Sequence, residues 1–197
     1  MPRSRVTGVV LAAGISRRLG TPKQLLPFDD TTVLGATIEV ARGCPFDQLI
    51  VTLGGAATAV REAVNLDGID TVIADDHESG CSSSLRAALS RVDPRADGIV
   101  VMLGDQPGVT REAVAKLIHS GRGAAIAVCR YSDGIGHPFW LGRKVFGELA
   151  ELHGDKGAWR LIESGRFDVQ QVPIAGIVPL DVDTWDDYQR LLDSVAV

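Results

Sequence analysis

The sequence predicts an α/β fold built on a mostly parallel sheet, and three observations carry that expectation. Short runs rich in valine and isoleucine recur along the chain. Segments with apolar residues at helical spacing separate them. Several of those segments open on a serine or threonine able to cap a helix. Strand and helix patterns in alternation are the punctuation of βαβ units, which pair their strands in parallel.

Taken in order, Val6–Leu11, Gln48–Leu53, Asp70–Ala74, Gly98–Leu103 and Ala124–Cys129 each read as a buried strand. Between them, Thr32–Ala41 places Val33, Leu34, Ile38 and Ala41 on one helical face. Ala56–Val64 follows Gly54-Gly55. Ser83–Val92 opens on a serine, and Thr110–His119 opens on a threonine with Glu112 in its first turn. Beyond Cys129 the rhythm changes. A turn-rich stretch (Tyr131–Gly136) leads into a short extended piece, His137–Leu141. Helical segments are expected near Arg143–Leu152 and Lys156–Ser164. Strands at Phe167–Val172 and Ile177–Leu180 and a helix over Thr184–Ser194 close the chain. No repeat, low-complexity tract or linker interrupts it, so a single domain is expected.

The 197 residues suit one domain, and 45% apolar with 23% charged is the mix of an ordinary globular protein. Cys44, Cys81 and Cys129 lie far apart without CxxC spacing, so neither a zinc knuckle nor a disulfide framework is indicated. The expected setting is reducing and cytoplasmic. The apolar run Val9–Ala13 falls far short of the roughly 20 residues that span a bilayer, so no membrane association is expected. A net charge of −5 argues against a nucleic-acid partner. Residues 1–28, however, carry five cations and no acid, while the remainder sums to −10. A positive segment inside an acidic protein points to a local anion site.

That segment contains Leu11-Ala12-Ala13-Gly14-Ile15-Ser16-Arg17-Arg18-Leu19-Gly20-Thr21-Pro22-Lys23, directly after the first strand. In open α/β sheets, ligands sit beyond the carboxyl ends of the strands. The small residues Ala12, Ala13 and Gly14 let backbone N–H groups approach phosphate oxygens, with Leu11 leading into the turn. Arg17 offers forked donors and Lys23 a mobile charge. The spacing fits neither a P-loop nor a dinucleotide-binding loop. Five residues separate Gly14 from Gly20, and Thr-Pro-Lys follows. On residue chemistry alone, an ordinary surface loop remains open. A second candidate is Asp105, just past the Gly98–Leu103 strand and at the same sheet edge. Its hard oxygens suit Mg²⁺, which takes one or two carboxylates plus phosphate oxygens; the alternative is a turn cap before Pro107. Asp181 and Asp183, in a D-x-D, point the same way and offer a further carboxylate; Asp183 and Thr184 could instead cap the last helix.

The Leu11–Lys23 segment resembles the LAAGxSxRMGxxK signature of GT-A-like nucleotidyltransferases. Glu78-Ser79-Gly80-Cys81-Ser82-Ser83-Ser84-Leu85-Arg86, Gly104-Asp105-Gln106-Pro107, Gly136-His137-Pro138, Leu152-His153-Gly154-Asp155-Lys156-Gly157-Ala158 and Asp181-Val182-Asp183-Thr184 extend the likeness. Together they are similar to the molybdenum cofactor cytidylyltransferases, the MobA-like NTP transferases. The resemblance implies a three-layer αβα, Rossmann-like sheet. It implies that Leu11, Ala12, Ala13, Gly14, Arg17, Lys23, Gly80 and Ser83 hold the nucleotide, and that Asp105 and Asp183 hold Mg²⁺. Lys23, Arg17 and Asp105 would be the catalytic set, and His137 and Asp155 would face the acceptor. Cys81, where methionine is usual, reads as a packing residue. LAAG resembles the CTP-using branch. One departure bears on the acceptor: Trp159 follows Ala158 where the family carries arginine, and Arg160 comes one place later.

The implied reaction moves CMP from CTP to a phosphorylated acceptor of molybdopterin type, releasing pyrophosphate, and leaves room for a transient molybdoenzyme or chaperone partner. Two alternatives stand beside it. One is a nucleotidyltransferase acting on a sugar phosphate or other phosphorylated metabolite. The other is a non-catalytic nucleotide-binding or cofactor-carrying protein.

Overall fold

Side-chain alternation along each strand divides the interior into two cores. In β1 (Val6–Ala12), Val6, Val10 and Ala12 face one core, while Val9 and Leu11 face the other. The split repeats in β4 (Gln48–Leu53), β6 (Gly98–Leu103) and β7 (Ile126–Arg130). A sheet apolar on both faces has to be covered on both faces. Helices α1 (Val33–Arg42), α2 (Ala57–Ala63) and α4 (Arg111–Gly121) cover the first, through residues such as Leu34, Ile38, Val60, Val114 and Leu117. Helices α3 (Cys81–Leu89), α5 (Phe146–Ala150) and α6 (Trp159–Glu163) cover the second, through Leu85, Leu149 and Leu161. The result is three layers, helices on sheet on helices. The computed structural model describes residues 4–74, 81–154 and 156–195.

With β5 (Asp70–Ile73), β8 (Ile135–Gly142) and β9 (Val169–Pro173), the sheet has the order β5-β4-β1-β6-β8-β7-β9. Only β8 runs against the rest, pairing antiparallel with β6 on one side and β7 on the other. The extended piece expected at His137–Leu141 is therefore a full central strand. Its apolar residues explain the position: Leu141 lies between Ile99 and Ile126, and Phe139 between Val101 and Val128. Trp140 points into the opposite core, where an added Cβ at Gly98 or Gly121 would come within 2.5 Å of its ring. A short hairpin, β2 (Pro27–Phe28) and β3 (Thr31–Thr32), precedes α1.

The cap expected at Thr110 forms, accepting the N–H of Ala113 at 3.1 Å, and Thr32 likewise caps α1 through the N–H of Gly35 at 3.0 Å. Other expectations are corrected. β5 is the edge of the described sheet and half exposed, because none of the described strands pairs beyond it. α3 starts at Cys81, so Ser83 lies inside the helix and does not cap it. Arg143–Leu152 is a 3₁₀ turn followed by the short α5, and Lys156–Ser164 forms a helix only over α6. Ile177–Leu180 is not a strand. Its backbone is held by side chains instead: Asp133 accepts the N–H of Val178, and Gln106 donates to the carbonyl of Pro179. The last helix, α7 (Trp185–Val195), joins a small third core of Leu19, Leu26, Val33, Val182 and Leu191 that packs the end of the chain against the loop after β1.

Candidate active site

β1 and β6 are parallel neighbours, so the loops at their carboxyl ends emerge side by side. They open onto a cleft of about 590 Å³ whose walls include residues 11–18, Lys23, Gln24, Gly104, Asp105, Asp181 and Asp183. The first loop is folded on itself. Ser16 takes a positive φ of 56°, its carbonyl accepts the N–H groups of Leu19 and Gly20, and its hydroxyl accepts the N–H of Lys23 at 2.9 Å. A close approach supports the loop from β4. A Cβ at Gly54 would lie 2.4 Å from the carbonyl oxygen of Ala13, so only glycine lets the two backbones come together.

Lys23 stands at the centre of the cleft, 14% exposed. Its ammonium donates to Asp105 at 2.5 Å and to Asp183 at 2.8 Å. Burial on its own would lower its pKa, but the two carboxylates outweigh that and raise it, so the charge persists well past neutral pH. Asp183 also accepts from Arg18 at 3.1 Å, and its pKa is lowered chiefly by the hydrogen bond from Lys23. Asp181 behaves oppositely. Burial, reinforced by the charge of Asp105, raises it to about 6, although Gln106 donates to it at 2.7 Å. Arg17 lines the cleft with an exposed side chain, and no carboxylate among the described residues pairs with it.

The far wall is largely apolar, with Lys156, paired to Glu163 at 2.7 Å, as its cation. His137 is 8% exposed, and burial pushes its pKa down to about 3, so the imidazole is uncharged. Its ring lies 4.0 Å from that of Phe139, and the Trp159 indole meets both edge-on. Trp159 lines the cleft, whereas Arg160 points outward and donates to the carbonyl of His153. Cys81, Ser84 and Leu85 complete this side; Ser83, one residue before Ser84, is buried and does not line it. Cys81 packs against Gly157, where an added Cβ would lie 3.0 Å from its sulfur. Gly80 and Asp155 lie outside the described residues.

The cleft thus brings together Leu11, Ala12, Ala13, Gly14, Arg17, Lys23, Asp105, Asp183 and His137. Sequence reasoning missed Arg18 as the partner of Asp183, and it missed Gln24 and Gln106, both buried in the walls. The one visible signal for Gln24 was a polar side chain leading an apolar run, Leu25-Leu26-Pro27-Phe28. Asp105 and Asp183 present hard oxygens to the same point, a donor set that fits Mg²⁺ or Mn²⁺ completed by phosphate and water. Among the described residues no three metal-binding side chains cluster.

The chain that builds this cleft has close relatives. A sequence profile of the MobA-like NTP transferase domain matches residues 8–171. The chain belongs to the MobA-like NTP transferase family. A homologue of Mycobacterium tuberculosis Rv0371c from Mycobacterium sp. strain JC1 is 72% identical, covering 98% of each chain with a TM-score of 0.95. A manganese complex of Rv0371c itself is 61% identical over 97% of this chain and 100% of that one, with a TM-score of 0.89. Among curated relatives, a protein of Paenarthrobacter nicotinovorans named nicotine blue oxidoreductase is 32% identical over 95% of this chain and 96% of its own. Among the described residues of this MobA-like protein, no helix is long and apolar enough to cross a membrane.

Proposed function

We propose that the protein transfers CMP from CTP to a phosphorylated acceptor of molybdopterin type, releasing pyrophosphate. The observation that carries this reading is Lys23, held between Asp105 and Asp183 at the mouth of a glycine loop, in a chain of the MobA-like family. The manganese complex of Rv0371c supports a divalent ion as cofactor, Mg²⁺ in this reading, with Asp105 and Asp183 as its ligands. Bound there, the ion supplies charge neutralisation on the triphosphate.

An oxygen of the acceptor phosphate attacks the α-phosphorus of CTP. The new P–O bond forms as the bond to the β-phosphate bridging oxygen breaks, and pyrophosphate carries that electron pair away. A phosphate monoester is already ionised near neutral pH, so no general base is required. The barrier lies in bringing anions together, and the chain's part is positioning and electrostatic stabilisation. Loop N–H groups and Arg17 receive the β- and γ-phosphates. Lys23 exchanges its carboxylate partners for phosphate oxygens of the donor and the acceptor. His137, neutral and buried, shapes the acceptor side without adding charge.

One observation favours a second acceptor class. Trp159 occupies the cleft wall where the family carries arginine, which removes a cation from the acceptor side. A different phosphorylated metabolite is the corresponding reading. The test is pyrophosphate release from each NTP with Mg²⁺, across molybdopterin-type and sugar-phosphate acceptors. Release that requires CTP and a molybdopterin-type acceptor supports the first reading. Release with sugar phosphates alone supports the second, and nucleotide binding without metal-dependent release points to a carrier.

A further inference from the structure

We propose that Gln24 aims the phosphate loop: its carboxamide turns the backbone N–H groups of Ala13 and Ile15 toward a bound triphosphate. The inference rests on the nucleotide-binding reading above and assigns a positioning residue within it.

Gln24 is 3% exposed, and its Nε2 donates to two backbone carbonyls of one loop, Ala12 at 2.8 Å and Gly14 at 2.9 Å. A trans peptide is planar, with its C=O and N–H pointing in opposite directions. Fixing the Ala12 carbonyl therefore fixes the N–H of Ala13, and fixing that of Gly14 fixes the N–H of Ile15. Both are directed away from Gln24, and among the described residues neither finds a protein acceptor. All of these residues line the cleft. Two N–H groups, two residues apart and turned the same way, make a concavity for an anion.

Packing alone does not account for a glutamine here. Its Oε1 is buried, with no hydrogen-bond partner among the described residues. A leucine or methionine would fill the same space without stranding an acceptor. What the carboxamide adds is two donors on one nitrogen, at the spacing of alternate carbonyls. The next-door Lys23 is tied to the same loop through the Ser16 hydroxyl, so residues 23 and 24 set cation and backbone donors together.

The experiment is calorimetric titration of the full chain with inorganic tripolyphosphate and with CTP, in Mg²⁺. Gln24→Met removes both hydrogen bonds at similar volume. Gln24→Glu keeps the shape but at neutral pH only accepts hydrogen bonds. Each variant is expected to weaken both ligands by about tenfold or more, and by the same factor, because the defect lies at the phosphates. In turnover, the KM for nucleotide rises while the KM for acceptor is unchanged. Unaltered tripolyphosphate affinity in either folded variant overturns the proposal. So does a loss confined to melting temperature and active fraction, which is what a purely structural role would give. In the wild type, the amide NMR signals of Ala13 and Ile15 should shift on adding tripolyphosphate, and no shift at either also overturns it. Wild type that binds neither ligand sinks the nucleotide reading together with this one; wild-type binding matched by the variants sinks Gln24 alone.

Discussion

Lys23→Met is the most informative single change. The substitution keeps an unbranched side chain but deletes a charge that is 14% exposed and makes contacts of 2.5 and 2.8 Å. A charge-assisted hydrogen bond contributes about 1.5–3 kcal/mol. Loss of one such contact from the transition state corresponds to a roughly 10- to 150-fold fall in kcat/KM. The assay is steady-state pyrophosphate release with saturating Mg²⁺, and Asp105→Asn is expected to fall by at least about tenfold in parallel. A second readout needs no turnover. Without Lys23, Asp105 and Asp183 face each other uncompensated, apart from Arg18 on the latter. Added Mg²⁺ should then raise the melting temperature of Lys23→Met more than that of wild type, since the ammonium no longer competes for the same oxygens. Rates within about threefold of wild type, equal to less than about 0.7 kcal/mol, would refute the role of Lys23.

The raised pKa of Asp181, about 6, predicts a pH effect. An unfolded aspartate titrates near 4, so the folded protein binds this proton more tightly, and stability is lost as pH rises through about 6. In metal-free buffer, Asp181→Asn should remove that slope and gain about 1–2 kcal/mol at pH 7.5, allowing for partial screening; identical denaturation profiles would contradict it. His137 acts with the other sign. Its folded pKa of about 3 lies below the unfolded value near 6.5, so it withdraws stability as pH falls through that window, and His137→Phe should blunt the acid transition. Gly54→Ala drives a Cβ to 2.4 Å from the Ala13 carbonyl oxygen. It is expected to lose about 1–3 kcal/mol of stability and to raise the nucleotide KM, and unchanged CTP binding would argue against the loop's role. Trp159→Leu should raise the acceptor KM while sparing that of the nucleotide, and equal rises in both would place the indole elsewhere in function.

What the sequence determined by itself was local. Continuous apolar runs specify which strands exist and that both sheet faces need cover, because side chains alternate along any strand. The turn after β1 was legible as a candidate anion site, because small residues followed by arginines and a lysine bring backbone donors and cations close together. Motif likeness carried Asp105 and Asp183 further than spacing could. Tertiary structure decided where side chains beyond the strands point. Asp183 meets Lys23 across 160 residues of chain, because α7 and Val182 pack under the loop through Leu19 and Leu26. Gln24 turns inward because its buried amide satisfies the carbonyls of Ala12, the last residue of β1, and Gly14, just beyond it. Trp159 enters the cleft and Arg160 leaves it because one residue is about 100° of helix, and only the packed position of α6 says which of the two faces Phe139 and His137.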